Sequence, residues 1–439
     1  MKKRPLGPMA REALKRALAA TIEQGAPSDR AITEELNRVH LEDKAERQAI
    51  RTHLTAILFS RARLAWWLKR LKIEESPACL FAAHAIITRA APPSDVIRDW
   101  FSSEEPSPPS ALAALQGENL ENAGQDDLTR LECPKAYAEG LKRAFGPRFA
   151  EEMMAMRASA PPHFRVNTLK TTREGAVKAL RAEDIAVRLG RLSPWSLIGS
   201  GEEDIAATAA FKNGLIEAQD EASQIAALVV DAKPGEKILD LCAGAGGKAL
   251  ALAAAMENKG LLIACDVSEG RLRRARQRAA RAGVSNITYR LLDTQGRKWL
   301  KRQDGRFDAV ILDAPCTGTG AWRRNPDARW SRQDGDLASL TARQDQLLAS
   351  ARRALKPGGR LIYVTCSFLR EENEDRIAAL LAAHPDLKQE DFRISPLIPD
   401  AIRPKAGPDL RLTPAQHGTD GFFISRLRRD SVTSQTQNM

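Results

Sequence analysis

Two cysteines stand where thiol chemistry is expected. Cys316 lies in DAPCTGTG (313–320) and Cys366 in VTCS (364–367), each at the end of a short apolar run that reads as a β-strand. If those strands are neighbours, about 5 Å apart, both thiols open onto one crevice. The other four, Cys79, Cys133, Cys242 and Cys265, read as packing residues. A thiolate adding to carbon 6 of a cytosine makes carbon 5 nucleophilic enough to take a methyl group. Loss of the carbon 5 proton then expels the thiolate. A free thiol is only a few per cent ionised at neutral pH, so such a nucleophile needs nearby positive charge. A base inside a duplex is out of reach and must be flipped or presented single-stranded.

The donor side is written in DLCAGAGGK (240–248), which follows one strand and opens a helix. Glycines there allow close backbone approach, and the helix N-terminus offers free N–H donors. The segment is neither a P-loop, since Ala249 follows Lys248, nor a GxGxxG loop, since the glycines stand at 244, 246 and 247. Acids close the successive strands: Asp240, Asp266, Asp293 and Asp313. In a doubly wound sheet these ends share one crevice, where Asp266 suits a ribose and Asp293 an adenine. With LKPGGR (355–360) placed as the turn before the next strand, the cofactor expected is S-adenosylmethionine.

The elements that must position these groups fall into two kinds. Strand-like runs at 237–242, 261–266, 287–293, 307–315 and 360–367 alternate with helical stretches, the longest over 340–355. That alternation predicts an α/β domain with a mostly parallel, Rossmann-like sheet. Runs at 409–414 and 421–429 flank the turn HGTDG and predict a closing antiparallel hairpin, with HGTDGFF (417–423) supplying a turn and an edge strand. Before residue 101 the spacing is helical: Leu14, Leu18 and Ile22, then Ile50, Leu54, Ile57 and Leu58, with a helix start at Thr33 after Pro27. The expected organisation is an all-α domain over 1–101, a linker over 102–130 and an extension of the catalytic module over 131–230. A catalytic domain over 231–430 and a disordered tail over 431–439 complete it.

Composition sets the outer limits. The 439 residues carry a net charge of +11, divided as +8 over 1–72, −7 over 73–130 and +10 over the remainder. With 43% apolar residues the chain can build real cores, and with 5% aromatics it is not a many-ringed stacking platform. No apolar run approaches 18 residues, no secretory leader is present, and no CxxC pair suggests a metal. The expectation is a cytoplasmic protein with a polyanionic partner, no membrane and no metal.

Taken together, DLCAGAGGK, DAPCTGTG, VTCS, RVNTLK (165–170) and HGTDGFF resemble the Nop/Sun-type RNA (cytosine-5) methyltransferase family over residues 131–429. The paired PC and TC cysteines are the specific element. The resemblance implies Cys366 as nucleophile and Cys316 as the residue assisting release of the methylated product. It places the cofactor on Cys242, Ala243, Gly244, Ala245, Gly246, Gly247 and Lys248, with Asp266, Asp293 and Asp313, and sets Lys248 and Asp313 near the target cytosine. Ala245 and Ala249 depart from the family's Pro and Thr. The helical N-terminus, with DKAERQAIRTHL (43–54), is similar to the NusB-like RNA-binding domain of the bacterial ribosomal RNA branch. RNA contacts are expected from Arg165, Asn167 and Lys170, which read otherwise as a solvated strand end. Arg323 and Arg324 are expected on phosphate, with Trp322 or Trp330 near the target loop. The partner implied is structured RNA, small-subunit ribosomal RNA ahead of transfer RNA. A DNA cytosine methylase would have no need of Cys366, and a non-catalytic assembly factor would have no need of both thiols.

Overall fold

The computed structural model describes residues 6–89, 92–100, 110–201, 204–331 and 336–431. Two compact units emerge: Met1–Ser159 with Ala321–Asp334, and Ala160–Gly320 with Gly335–Met439. By contacts the chain divides at 159/160. Most of the Pro/Ser-rich segment (102–109) and of the tail (432–439) lies outside the described residues.

The first unit is helical. Its main helices are Pro8–Ile22, Ser28–Arg38, Lys44–Leu58, Arg61–Arg70 and Pro77–Ile87, followed by Pro93–Trp100. Leu14, Leu18, Ile50, Leu54, Ile57 and Leu58 are buried together, as their spacing predicts. Asp43 caps the third helix by accepting from Ala45 and Glu46 N–H, and Ser76 caps the fifth through Cys79 N–H. The second helix starts at Ser28, one turn before the expected Thr33. Pro27 takes the N-cap position, and Thr33 Oγ1 donates back to Asp29 O at 2.6 Å inside the helix. Residues 110–130 are no free linker. Leu112 and Leu115 are buried, and Asn119 O accepts from Trp67 Nε1 at 3.0 Å.

Trp322, expected near the target loop, is instead fully buried in this unit. Its ring packs on Tyr137 at 5.6 Å and under Arg329 at 5.0 Å. Arg329 in turn donates to Met156 O at 2.7 Å. Trp330 Nε1 donates to Leu58 O at 3.3 Å, so this indole too is committed within the unit. Burial of so large an apolar ring outweighs any gain from leaving it on the surface.

The second unit holds two sheets. In the smaller, β1 (His163–Val166), β2 (Val187–Leu189), β3 (Ser196–Gly199) and β4 (Ile216–Ala218) run antiparallel in the order β2-β3-β1-β4. The larger contains β5 (Lys237–Asp240), β6 (Leu261–Asp266), β7 (Ile287–Leu291), β8 (Phe307–Asp313) and β9 (Leu355–Thr365). It also contains β10 (Leu387–Gln389), β11 (Leu410–Leu412) and β12 (Phe422–Arg429). Its order is β7-β6-β5-β8-β9-β12-β10, with β5 to β9 mutually parallel, β12 antiparallel to β9 and β11 paired on β12. The C-terminal hairpin is present, but β12 lies between β9 and β10. It is an internal strand and not the edge strand expected, because its burial on both faces, Phe423 and Ile424 included, demands cover.

LKPGGR is likewise not a turn before β9 but a bulge inside it. Phe307 pairs with Leu355, whereas Ala309 pairs with Arg360, and Gly358 takes φ +76° to absorb the extra residues. The chain order reverses between β5 and β8, which is where an open parallel sheet offers its crevice.

One close approach locks the C-terminal strand to the crevice. Gly421 N donates to Gly320 O at 2.8 Å, and a Cβ at 421 would meet the Phe368 ring at 2.0 Å and Gly320 Cα at 2.7 Å. Gly421→Ala is expected to destabilise the protein by about 1–3 kcal/mol, the usual cost of overpacking, measured as a lower urea midpoint.

Candidate active site

The parallel register brings the two thiols together. Asp313 pairs with Val364, so the chain runs three residues beyond β8 to Cys316 and two beyond Val364 to Cys366. The sulfurs lie 3.4 Å apart, in hydrogen-bond contact. Each loop is stitched to the other: Gly320 N donates to Cys366 O at 2.9 Å, and Phe368 N donates to Thr319 Oγ1 at 2.8 Å. Thr317 Oγ1 and Ser367 Oγ are 3.0 Å apart. The hydrogen bond to Cys366, burial and the charge of Glu372 all push the Cys316 thiol up. The remaining cysteines behave as packing residues. Burial raises Cys133 to about 12, and it also raises Cys242 and Cys265.

A cationic side chain stands beside the pair. Lys248 is buried in the first turn of helix Gly247–Ala255, and its ammonium donates to Asp313 Oδ2 at 2.7 Å. Burial works against that ammonium, but Asp313, Asp240 and the Cys366 sulfur outweigh it and hold Lys248 above its ordinary value. Lys248, Asp313, Cys316 and Cys366 thus gather at one end of the sheet.

The glycine loop is shaped for a ligand. Gly244 and Gly246 have φ of +57° and +84°, and Gly246 caps helix Gly247–Ala255 without a side-chain bond. A Cβ on Gly246 would lie 2.9 Å from Ala275 Cβ, so only glycine fits. Asp266 fixes the loop: Oδ2 accepts from Gly244 N at 2.9 Å and Oδ1 from Ser268 N at 2.8 Å. Asp293 caps helix Thr294–Lys301 by accepting from Gly296 N at 2.8 Å. Beneath the loop, Asp240 is buried and neither carboxylate oxygen has a hydrogen-bond partner. Burial, reinforced by Asp313, pushes it up to about 7. An orphaned carboxylate under open helix N–H groups fits a ligand with both a cation and a carboxylate, as S-adenosylmethionine has. Asp266 closes β6, the strand end at which an acid commonly holds a ribose in a doubly wound sheet.

The motif RVNTLK plays a different part from the one expected. Arg165 is buried and donates to Gln219 Oε1 and to Gly247 O, the latter at 2.6 Å. Asn167 is buried and donates to Gly214 O and Ala282 O, each at 2.8 Å. Lys170 is exposed, yet its ammonium holds Asn213 O and Arg281 O. Arg165 and Asn167 are committed to partners within the unit, and through Gly247 O and Ala282 O they fasten the small sheet to the glycine-loop helix and to helix Glu269–Ala282. Glu217 adds to this, accepting from Arg278 at 3.0 Å and Arg281 at 2.6 Å. Of the two loop arginines, Arg323 is half-buried and Arg324 exposed, both in the helical unit.

Sequence reasoning passed over Gln344, Glu372 and Asn373. All three are buried and hydrogen-bonded to the two cysteine loops, Gln344 from helix Asp336–Ala354 and Glu372 and Asn373 from the turn that follows β9.

A parallel sheet with this strand order, a Gly loop after its first strand and an acid closing the second define an S-adenosylmethionine-dependent methyltransferase. Comparison with known proteins narrows the class. Residues 227–428 match the family described as 16S rRNA methyltransferase RsmB/F, and 133–204 match the RsmF/B-like ferredoxin-like domain. The "Probable ribosomal RNA small subunit methyltransferase B" of Bacillus subtilis (strain 168) is 32% identical over 326 residues, 72% of each chain. The ribosomal RNA small subunit methyltransferase B of Shewanella oneidensis is 34% identical over 316 residues, 72% of this chain and 71% of that one. The crystal structure of PH0851 superposes with a TM-score of 0.79 at 26% identity, covering 98% of this chain and all of the other. The chain belongs to the RsmB/F methyltransferase family.

Asp240 generates a prediction about pH. Its folded value of about 7 lies above that of an unfolded Asp, so the folded state holds a proton the unfolded state releases. Without cofactor, stability is therefore greatest below about pH 4 for this group and falls as pH rises toward 7. Asp240→Asn is expected to remove that loss, raising stability at pH 8 by on the order of a few kcal/mol and leaving pH 4 unchanged. Urea unfolding at the two pH values checks it.

Proposed function

We propose that this protein methylates carbon 5 of a cytidine in small-subunit ribosomal RNA, with Cys366 as covalent nucleophile. The observation that carries the reading is the 3.4 Å thiol pair set beside Lys248 and Asp313 at the open end of the parallel sheet. When bound, S-adenosylmethionine supplies the electrophilic methyl group. The protein's own residues supply the rest. Lys248 is the cation nearest the pair, and its ammonium interacts favourably with the Cys366 sulfur; positive charge of this kind is what activates a thiol nucleophile. Attack forms a bond from sulfur to carbon 6 and moves electron density to carbon 5, which takes the methyl. The carbon 5 proton then passes to a base, and the returning electron pair breaks the carbon–sulfur bond and restores the Cys366 thiolate. Cys316, in contact with that sulfur, assists the release. The ion pair formed by buried Lys248 and half-buried Asp313 suits recognition of a single extruded base.

The RNA reading draws on the family, whose named relatives act on small-subunit ribosomal RNA, and on the positive charge at both ends of the chain. In this reading the enzyme works in the cytoplasm on ribosomal RNA or a subunit precursor. The helical unit holds RNA, with Arg323 and Arg324 on phosphate. Among the described residues no helix is long and apolar enough to cross a membrane.

Methyl-labelled cofactor and ribosomal RNA test the chemistry. Cys366→Ala is expected to abolish both transfer and covalent adduct, and Cys316→Ala to accumulate a protein–RNA adduct stable to denaturing electrophoresis. The reverse assignment would overturn the mechanism. Bisulfite mapping of ribosomal and transfer RNA, with and without the protein, identifies the cytidine. Reversing charge at Arg323 and Arg324 together is expected to weaken RNA binding and lower its salt slope by about 1–2. An unchanged slope removes them from the RNA surface.

A further inference from the structure

Two thiols in contact cannot both ionise freely, so something must decide which one does. The cysteine loops are bracketed by consecutive residues of one turn. Glu372 is fully buried at the end of the 3-10 turn Arg370–Glu372, after β9. Its Oε1 accepts from Thr317 N at 2.8 Å and from Gln344 Nε2 at 3.1 Å, and its Oε2 accepts from Thr317 Oγ1 at 2.5 Å. Gln344 Nε2 also donates to Pro315 O at 2.9 Å. The carboxylate thus holds Thr317 directly and Pro315 through Gln344, the two chain neighbours of Cys316. Asn373 does the same for Cys366: its Oδ1 accepts from Thr365 Oγ1 at 2.5 Å, and its Nδ2 donates to Ser367 O at 2.8 Å. Tyr363 O–H, donating to Glu372 O at 2.7 Å, fixes the turn from below.

The two brackets differ in charge. A carboxylate stands against the Cys316 loop and a neutral amide against the Cys366 loop. Lys248, paired with Asp313 at 2.7 Å, is the cation whose ammonium the Cys366 sulfur helps to hold. We propose that Glu372 is a positioning residue that selects the nucleophile: its charge keeps the proton on Cys316 and leaves ionisation to Cys366. Cys366 gives its proton to solvent water, and the thiolate so formed accepts the S–H of Cys316. The electrostatic logic is elementary, because a buried negative charge next to one thiol penalises a second negative charge there far more than in water. The same carboxylate contributes to the upward displacement of the Cys316 thiol described above. The proposal deepens the assignment of Cys366 as nucleophile and does not depend on which RNA is methylated.

Site-resolved alkylation tests it without RNA. The full-length protein is treated with iodoacetamide from pH 6 to 10, and the peptides carrying Cys316 and Cys366 are quantified by mass spectrometry. In the unmutated protein the Cys366 midpoint is expected below that of Cys316. In Glu372→Gln, which keeps size and one acceptor but removes the charge, the ratio of Cys316 to Cys366 alkylation at pH 8 is expected to rise about tenfold, a shift of one pH unit. A folded Glu372→Gln with an unchanged ratio would overturn the proposal, since a purely structural bracket needs no charge. Asn373→Ala loosens the other loop without altering charge and is expected to leave the Cys316 midpoint in place. An equal shift in both variants also counts against the proposal. If Glu372→Gln does not fold by circular dichroism, the unmutated profile decides: a Cys316 midpoint at or below that of Cys366 overturns the assignment.

Discussion

Everything in the catalytic unit depends on holding two sulfur atoms in contact that are 50 residues apart in the chain. No local structure can do this. The parallel pairing of β8 with β9 sets the coarse position, since a slip of one residue would turn every side chain of one strand to the opposite face. The fine position comes from bonds between the two loops and from the turn that brackets both. The sheet is accordingly buried on both sides, and β12 closes over β9 where a weaker arrangement would leave an edge beside the reacting atoms.

The second demand is electrostatic. Asp240, Lys248 and Glu372 are buried at the end of the sheet that carries the thiols, and Asp313 is partly so. Burying charge in this way costs several kcal/mol per group unless partners repay it. Lys248 and Asp313 repay each other, and Glu372 accepts three hydrogen bonds. Asp240 alone is left without a partner, which is the mark of a site whose ligand completes it.

Much of this was legible in the residues. Parallel strands covered on both faces are written as continuous apolar runs, so β5 to β9 stand out, and the acids and cysteines at their ends follow. What escaped was of two kinds. Arg165 and Asn167 look like solvated polar residues because nothing in RVNTLK reveals their acceptors; Ala282 O lies 115 residues away. Trp322 looks like a recognition residue beside its arginines, and only the tertiary partners Tyr137 and Arg329 show it to be core. Glu372 and Asn373 were hidden in an acidic run whose periodicity says helix. Strand pattern is local and survives in sequence, whereas polar satisfaction is long-range and does not.

The path of the chain after the PC loop has a consequence for modularity. Residues 321–334 leave the catalytic unit at Gly320, contribute Trp322 and Arg329 to the helical core and then return to build the rest of the sheet. The helical unit is therefore not an appendage joined by a single tether. Cutting the chain after residue 159 would strip the buried indole of Tyr137 and Arg329 of its Met156 acceptor, exposing both on a loop that begins five residues beyond Cys316. Gene fusion or excision at one boundary cannot exchange this unit for another. Any swap would need two matched cuts, so the N-terminal helices and the catalytic loop are bound to be inherited together.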